Sequence, residues 1–511
     1  VLVLRLPEGV PVTGLFAAGL GALFAASFLV PGGWALQIIV LGALFSLTVR
    51  DAHGLRAARI GALFGLGWFL VGISWIYVSM HTYGLMPWWL AALATLALSI
   101  YLALFPALAL GLSGWLLQRG ASHSLVLLLL PLFWTLGELL RGVVLTGFPW
   151  LATGYAQIDG PLAGYAPLLG VYGVGLAVAI CAAALVRLQR VGFSFRAGRR
   201  ALLLFISVPL FGALVGIVHW SAPSGAAMSV RLLQGNVAQD TKFDAAQFQA
   251  TLANYFGLIE QQRADLIVLP ETALPIFFNE LPEEVITRLH QDADAEHAYL
   301  AVGVPVADSA SVYTNSMVAF TPGSSHLMRY DKAHLVPFGE FVPLGFHWFV
   351  RLLNIPLGDF TSGGRDPEAL LLAGRPVAFN ICYEDLFGAR IARQALHASV
   401  LVNASNVAWF GDSLALPEHL QISRMRARET ARPMLRATNT GMTAAIDERG
   451  AVTAVLKPFT RDALSVSVQP MRGNTPYSNY TDWPLWMICG LALAVMAIEH
   501  RRASGRGRRI G

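Results

Sequence analysis

Charge is what this chain has least of. Only 13% of its 511 residues are Asp, Glu, Lys or Arg, where soluble domains carry roughly a quarter. With 55% hydrophobic residues and a positive mean hydropathy, that deficit excludes an ordinary water-soluble enzyme and points to a membrane protein. Cysteine is nearly as scarce, at three residues: Cys181, Cys382 and Cys489. There is no cysteine pair, and His334, His347, His397 and His419 are not spaced as ligands, so no metal and no cofactor is expected. Neither a Walker or Rossmann glycine pattern after a strand nor a Gly-x-Ser-x-Gly elbow is present. The net charge of +5 would suit nucleic acid. The basic residues, however, sit in short clusters beside apolar spans with no aromatic interleaving, so no nucleic-acid partner is expected.

What the chain does have is a series of long apolar runs. A helix needs about 20 mostly apolar residues to cross a bilayer. Eight candidates lie near 12–30, 34–49, 58–79, 88–117, 124–146, 162–186, 201–219 and 483–499. Gly61, Gly65 and Gly72 recur inside them as small residues suited to close helix packing. Arginine sets the direction. Arg50, Arg56 and Arg59, then Arg119, then Arg187, Arg190, Arg196, Arg199 and Arg200 fall in alternate loops. Arg5 and the tail residues Arg501, Arg502, Arg506, Arg508 and Arg509 fall on the same side, while the loops around 31–33, 80–87 and 147–161 hold none. Both termini are therefore expected in the cytoplasm of a bacterial inner membrane, with the long region between the seventh and eighth spans in the periplasm. Glu138 and Arg141 share a face of the fifth span, and the expectation for them is an intrahelical pair that snorkels outward.

The expected organisation is a bundle of about seven helices over 1–220, a catalytic domain over 221–482, and a last helix with a basic tail over 483–511. From Ser229 onward the pattern turns to short β-rich runs: Val230–Gln234, Leu266–Leu269, Tyr299–Val304, Ser316–Phe320, Pro376–Ile381, Val400–Asn403 and Met442–Ile446. Helical stretches at 244–262, 281–295 and 417–432 alternate with them, and two closing strands follow near 452–456 and 463–468. Strand alternating with helix predicts a layered α/β domain.

Cys181 and Cys489 fall within spans, which leaves Cys382 as the one cysteine of the interposed region. A lone thiol in an oxidising compartment has no disulfide role. It is either an inert buried side chain or a nucleophile. Cys382 ends the apolar run Val377-Ala378-Phe379-Asn380-Ile381 and precedes a polar turn and a helix. A nucleophile at such a strand-to-helix turn stands exposed above the sheet, near backbone N–H groups. A free thiol is only a few per cent ionised at neutral pH, so a base or a cation must activate it. Two further strand ends offer suitable groups, Glu271 after Leu266–Leu269 and Lys332 in Tyr330-Asp331-Lys332.

Together, Leu269-Pro270-Glu271-Thr272, Tyr330-Asp331-Lys332 with Leu335-Val336-Pro337-Phe338-Gly339-Glu340, and Asn380-Ile381-Cys382-Tyr383-Glu384 resemble the nitrilase superfamily. The spans and the segments Thr146–Trp150, Gln157–Leu162, Ala408-Trp409-Phe410-Gly411 and Trp483-Pro484-Leu485-Trp486 resemble its membrane-embedded branch, the apolipoprotein N-acyltransferases. The likeness runs over essentially the whole chain. It implies an αββα sandwich joined to the helical bundle. It further implies a Glu–Lys–Cys triad, with Glu271 as general base, Lys332 as stabiliser of the tetrahedral intermediate and Cys382 as nucleophile. Glu340 matches the second carboxylate of the family, and Tyr383 and Glu384 its Cys-Tyr-Glu continuation. Two positions depart from the family pattern. Phe243 stands where a tryptophan is usual, and Val407 in Asn406-Val407-Ala408-Trp409-Phe410 replaces an acidic residue, which puts lipid selectivity and loop contacts in doubt.

The reaction so implied is two-step acyl transfer. Cys382 takes an acyl chain from a membrane phospholipid, expected to be phosphatidylethanolamine, and passes it to the N-terminal amine of a diacylated apolipoprotein. Phe243, Trp409 and Phe410 are candidates for lipid contact. So are Phe346, Trp348 and Phe349 in the apolar segment Phe341–Gly364, which is either a mobile arm over the site or a helix packed on the domain. Two alternatives compete. A membrane-bound amidase would use water in place of the amine, and a transporter or scaffold would have no use for Cys382.

Overall fold

The structure is a computed structural model that describes residues 10–50, 53–191, 197–309, 311–343, 345, 360–364 and 368–507. It divides into two compact units. The first comprises residues 1–218, 413–421 and 480–511, and the second 219–412 and 422–479.

The first unit is helical because its runs are apolar on all sides and have no water to satisfy a backbone left unpaired. Among the described residues, seven helices are long and apolar enough to cross a membrane: Gly33–Arg50, Gly54–Gly72, Trp88–Gln118, His123–Arg141, Pro161–Val191, Gly198–Gly216 and Trp483–Arg501. A shorter apolar helix, Val12–Ala26, precedes them. The seven match the second to eighth expected spans, and the shorter helix falls where the first was expected, near 12–30. The glycines do what was expected of them, since a Cβ on Gly61 would lie 2.5 Å from the Pro106 carbonyl oxygen, and one on Gly65 2.7 Å from Ala103 Cα.

Glu138 and Arg141 form the expected intrahelical pair, at 3.6 Å, but they do not snorkel. They are only 4% and 1% exposed, and their charged ends hold the loop that follows their own helix. Arg141 donates to the carbonyls of Phe148 and Trp150 at 2.7 and 2.6 Å, and its guanidinium lies over the rings of Trp68 and Phe69. Glu138 accepts from the Thr153 N–H at 2.7 Å and the Thr153 hydroxyl at 2.9 Å. The outward reading fails because the loop Val143–Ala152 folds back over the helix end and supplies acceptors that the sequence spacing alone does not reveal.

The second unit is built on two six-stranded sheets. In the first the strand order is Asp462–Val468, Met228–Gln234, Leu266–Val268, Tyr299–Ser309, Val312–Phe320, Leu327–Asp331. In the second it is Val452–Val455, Ala444–Ile446, Met434–Thr438, Val400–Ser405, Arg375–Ile381, Leu370–Leu372. The central strands of each run parallel, with antiparallel neighbours at the edges. Parallel strands buried on both faces read as continuous apolar runs, and Leu266–Val268 and Val400–Ser405 are buried at every position.

One core forms between the sheets, where Val230, Leu232, Leu266 and Val268 of the first meet Val377, Phe379, Val400 and Val402 of the second. A second core forms on the outer face of the first sheet, where helices Ala245–Ile259 and Glu283–Glu296 bury Leu252, Tyr255, Val285 and Leu289. Helix Gly388–Ala395 buries Ile391, Ala392 and Ala395 beside the second sheet. This is the nitrilase-like sandwich that the resemblance implied. Met434–Thr438, Leu327–Asp331 and Leu370–Leu372 are strands that the sequence reading left out.

Candidate active site

The parallel strands of both sheets end at the same kind of place, and their carboxyl ends carry the polar groups. Glu271 is the third residue after Leu266–Val268, Lys332 directly follows Leu327–Asp331, and Cys382 directly follows Arg375–Ile381. Asn406 and Asn439 directly follow Val400–Ser405 and Met434–Thr438. Ligand sites in open α/β sheets gather at such ends because the loops there diverge. The backbone is strained at the same points. Asn236, Thr272, Phe338 and Cys382 hold φ of 51°, 48°, 61° and 52°, each a left-handed conformation that costs a non-glycine residue about 1–3 kcal/mol. Each flanks or is a site residue. Gly303 allows one of these turns, since a Cβ there would stand 2.1 Å from the Pro270 carbonyl oxygen.

Lys332 Nζ lies between two carboxylates, 3.1 Å from Glu271 Oε1 and 2.9 Å from Glu340 Oε1. Asn315 Nδ2 donates to the same two oxygens at 2.8 Å each. Glu271 Oε2 accepts from the backbone N–H of Asn406 at 2.7 Å, and Glu340 Oε2 from that of Val336 at 2.8 Å. All of these side chains are buried, and a buried charge persists only when paired and hydrogen-bonded.

The pairing decides the protonation states. Burial pushes the Glu271 carboxyl up, but the Lys332 ammonium and the Asn406 and Asn315 donors outweigh it and hold the group below the usual carboxylate range. Burial pulls the Lys332 ammonium down, yet Glu271 and Glu340 outweigh that and hold it above the usual lysine value. Burial, then the Glu271 charge, push the Cys382 thiol well above its ordinary value against the pull of Lys332. Burial and neighbouring charge thus favour a neutral thiol at Cys382 and an ionised carboxylate at Glu271, a thiol that a base would have to activate.

Glu384 ties two of the strand ends together. Its Oε2 accepts from the Ile381 N–H and the Tyr330 hydroxyl at 2.7 Å each, and its Oε1 from the N–H groups of Ala333 and His334 at 2.8 and 2.9 Å. It therefore fixes the residue before Cys382 against the residues after Lys332. Tyr383 is buried, its ring against those of Phe387 and His334. Asn403 Nδ2 donates to the Cys382 carbonyl at 3.1 Å.

Of the residues expected at the lipid-facing mouth, Phe243 and Trp409 are exposed, at 61% and 37%, and Phe410 is half-buried. They flank site residues along the chain. Phe243 follows Lys242, whose Nζ is 3.4 Å from the Glu271 carbonyl oxygen, and Trp409 and Phe410 close the short turn that follows Asn406. Phe346, Trp348 and Phe349 lie outside the described residues.

Sequence reasoning missed Asn315, Asn439, Lys242 and the role of Asn406. Asn439 donates to the Val237 carbonyl and to Asn406 Oδ1, and accepts from the Val237 N–H, so it holds the 235–243 loop against the Glu271 strand end. An asparagine directly after a buried strand was the available signal, at Asn406 and Asn439 alike.

Residues 20–184 match the family model described as the apolipoprotein N-acyltransferase N-terminal domain, and residues 229–477 match that of the carbon-nitrogen hydrolases. An apolipoprotein N-acyltransferase from Ralstonia nicotianae is 47% identical over 507 residues, 96% of this chain and 94% of that protein. One from Bordetella bronchiseptica is 42% identical over 529 aligned positions, 95% of this chain and 96% of that protein. Among solved structures, an amidase from Nesterenkonia sp. is 17% identical with a TM-score of 0.39, covering 48% of this chain and 92% of that one. The membrane helices, the nitrilase-like domain and relatives of this identity along almost the whole length agree: the chain belongs to the apolipoprotein N-acyltransferase family.

Proposed function

We propose that the chain moves an acyl group from a membrane phospholipid, by way of a thioester on Cys382, to the N-terminal amine of a diacylglyceryl-cysteine apolipoprotein. The single observation that carries this is the buried Lys332 bridging Glu271 and Glu340 at a shared strand-end site with the elbow residue Cys382, in a chain that also carries, among its described residues, seven helices long and apolar enough to cross a membrane.

In the first half-reaction Glu271 takes the thiol proton as Sγ attacks the ester carbonyl. Lys332 faces the negative charge that develops on the carbonyl oxygen, a contribution on the order of a few kcal/mol for one well-placed donor. The tetrahedral intermediate collapses, the proton passes from Glu271 to the departing alkoxide, and a lysophospholipid leaves. In the second half-reaction the amine attacks the thioester, Glu271 takes a proton from the nitrogen, and Sγ recovers it as the amide forms. Glu384 and Tyr383 position the nucleophile turn, while Phe243, Trp409 and Phe410 meet the acyl chains. Phosphatidylethanolamine is the expected donor. The arginine asymmetry supports placing the catalytic domain on the periplasmic side of the inner membrane with both termini in the cytoplasm.

The test is direct. Purified protein is incubated with phosphatidylethanolamine, and Cys382 is examined by mass spectrometry for a hydroxylamine-sensitive acyl adduct, before and after adding a diacylated lipopeptide. An adduct that disappears as triacylated lipopeptide forms is expected. No adduct defeats the mechanism, and an adduct lost only to water makes the protein a hydrolase.

A further inference from the structure

Lysine is rare in this chain, at three of thirty-six basic residues: Lys242, Lys332 and Lys457. Everywhere else the cation is arginine. Lys457 is exposed, while Lys242 and Lys332 are 2% and 1% exposed and both contact Glu271. The difference between the two basic side chains that matters in a buried site is titration, because lysine can lose its proton and arginine cannot. Lys332 is locked between two carboxylates. Lys242 is not. Among the described residues its one hydrogen-bond acceptor is the neutral Glu271 carbonyl, at a long 3.4 Å, and Glu271 is the charged side chain that bears on it. Burial pulls its ammonium down to about 7, against the Glu271 charge. Its chain neighbours Thr241 and Phe243 are both exposed.

The proton balance of the proposed reaction leaves a place for such a group. In the first half-reaction Glu271 ends as it began, having moved one proton from Sγ to the leaving alkoxide. In the second it again moves one, from the attacking nitrogen to Sγ. An α-amine of pKa about 8 arrives mainly as ammonium at pH 7, with about a tenth neutral. It must lose one proton before it can attack and a second as the amide forms, and Glu271 accounts only for the second.

We propose that Lys242 takes the first: its neutral amine accepts a proton from the incoming ammonium, generates the nucleophilic amine in the site, and releases that proton to solvent. The step balances as R–NH3⁺ plus Lys242–NH2 giving R–NH2 plus Lys242–NH3⁺. This rests on the reading above.

The experiment uses full-length protein in nanodiscs containing phosphatidylethanolamine. It measures acylation of Cys382 by mass spectrometry and, separately, release of the acyl group to a diacylated lipopeptide between pH 6.5 and 9.5. For Lys242→Met, aminolysis at pH 7 is expected to fall about ten-fold relative to acylation, the factor set by the neutral fraction of the acceptor. The gap should close as pH passes 8 to 9, where the acceptor is neutral unaided. Lys242→Arg keeps a cation but cannot accept a proton, and it is expected to show the same pH-dependent deficit. Wild-type aminolysis at pH 7 in Lys242→Arg would overturn the proposal, because charge or packing alone would then suffice. A deficit equal in both half-reactions and flat with pH would overturn it as well. Failure of the wild type to acylate Cys382 at all would instead defeat the underlying mechanism, and this proposal with it.

Discussion

Both units of the molecule bury ionised side chains, and they use them for different ends. In the helical unit Glu138 and Arg141 pair with each other at 3.6 Å and direct their hydrogen bonds at the following loop, at the carbonyls of Phe148 and Trp150 and at the N–H and hydroxyl of Thr153. Their charge is absorbed in shaping one loop. In the sandwich Lys332 bridges Glu271 and Glu340, and Asn315 with the backbone N–H groups of Asn406 and Val336 satisfies the remaining carboxylate oxygens. That leaves a carboxylate and an ammonium concentrated beside a thiol. The electrostatics are common to both, since a charge out of water must be satisfied. What differs is the setting: the first pair fastens one loop, whereas the second lies at strand ends that also carry the Cys382 thiol.

The contrast can be broken by mutation, and the largest effect belongs to the nucleophile. Cys382→Ala should lower turnover by at least about 10⁴-fold, as loss of a nucleophile does elsewhere, with no acyl adduct and an unchanged melting temperature. Glu271→Gln comes next. Loss of the general base should cost about 10²–10⁴ in the acylation rate. Because the Glu271 charge helps to raise the Cys382 thiol, its removal should move the midpoint of the pH dependence of Cys382 alkylation downward. An unmoved midpoint would mean that the carboxylate and the thiol do not sense one another.

Arg141→Met tests the other side. Leaving Glu138 buried without its cation should cost about 3–5 kcal/mol of stability, read as a lower melting temperature in detergent, while the acyl adduct per folded molecule stays near wild type. A stable variant that cannot be acylated would place this pair in the chemistry and erase the distinction. The smallest effect is expected from Asn439→Ala. Loss of its hydrogen bonds to Val237 and Asn406 should cost about 1–3 kcal/mol and slow acylation more than it changes the apparent affinity for phospholipid, measurable as a fall in kcat with little change in KM.

Glu271 and Cys382 were legible in the sequence because each follows an apolar run whose end the hydrophobic pattern marks, whereas Lys332 follows the charged strand Leu327–Asp331 and was singled out through the family resemblance. The spans were legible from length and composition. Strand Met434–Thr438 was not. It contains the charged Arg436, which is 1% exposed and pairs with Asp385 at 3.6 Å, and a buried charge inside a strand hides the pattern that announces it. Asn315 was invisible for a related reason, being a polar residue within the long strand Val312–Phe320. Nothing local distinguishes an asparagine that bridges two distant carboxylates from one that faces water.

By itself, then, the sequence determined what depends on local composition: which runs are apolar enough to enter the membrane, which loops collect arginine, and where the apolar runs before Glu271 and Cys382 end. Tertiary structure decided what depends on residues far apart in the chain. It brought Glu340 and Asn315 to Lys332, turned Arg141 inward rather than outward, and placed a second lysine against Glu271. It also set the burial and the Glu271 charge that push the Cys382 thiol up. The physical reason is that protonation depends on desolvation and on neighbouring charge, and both are properties of the folded site that no single segment of the chain contains.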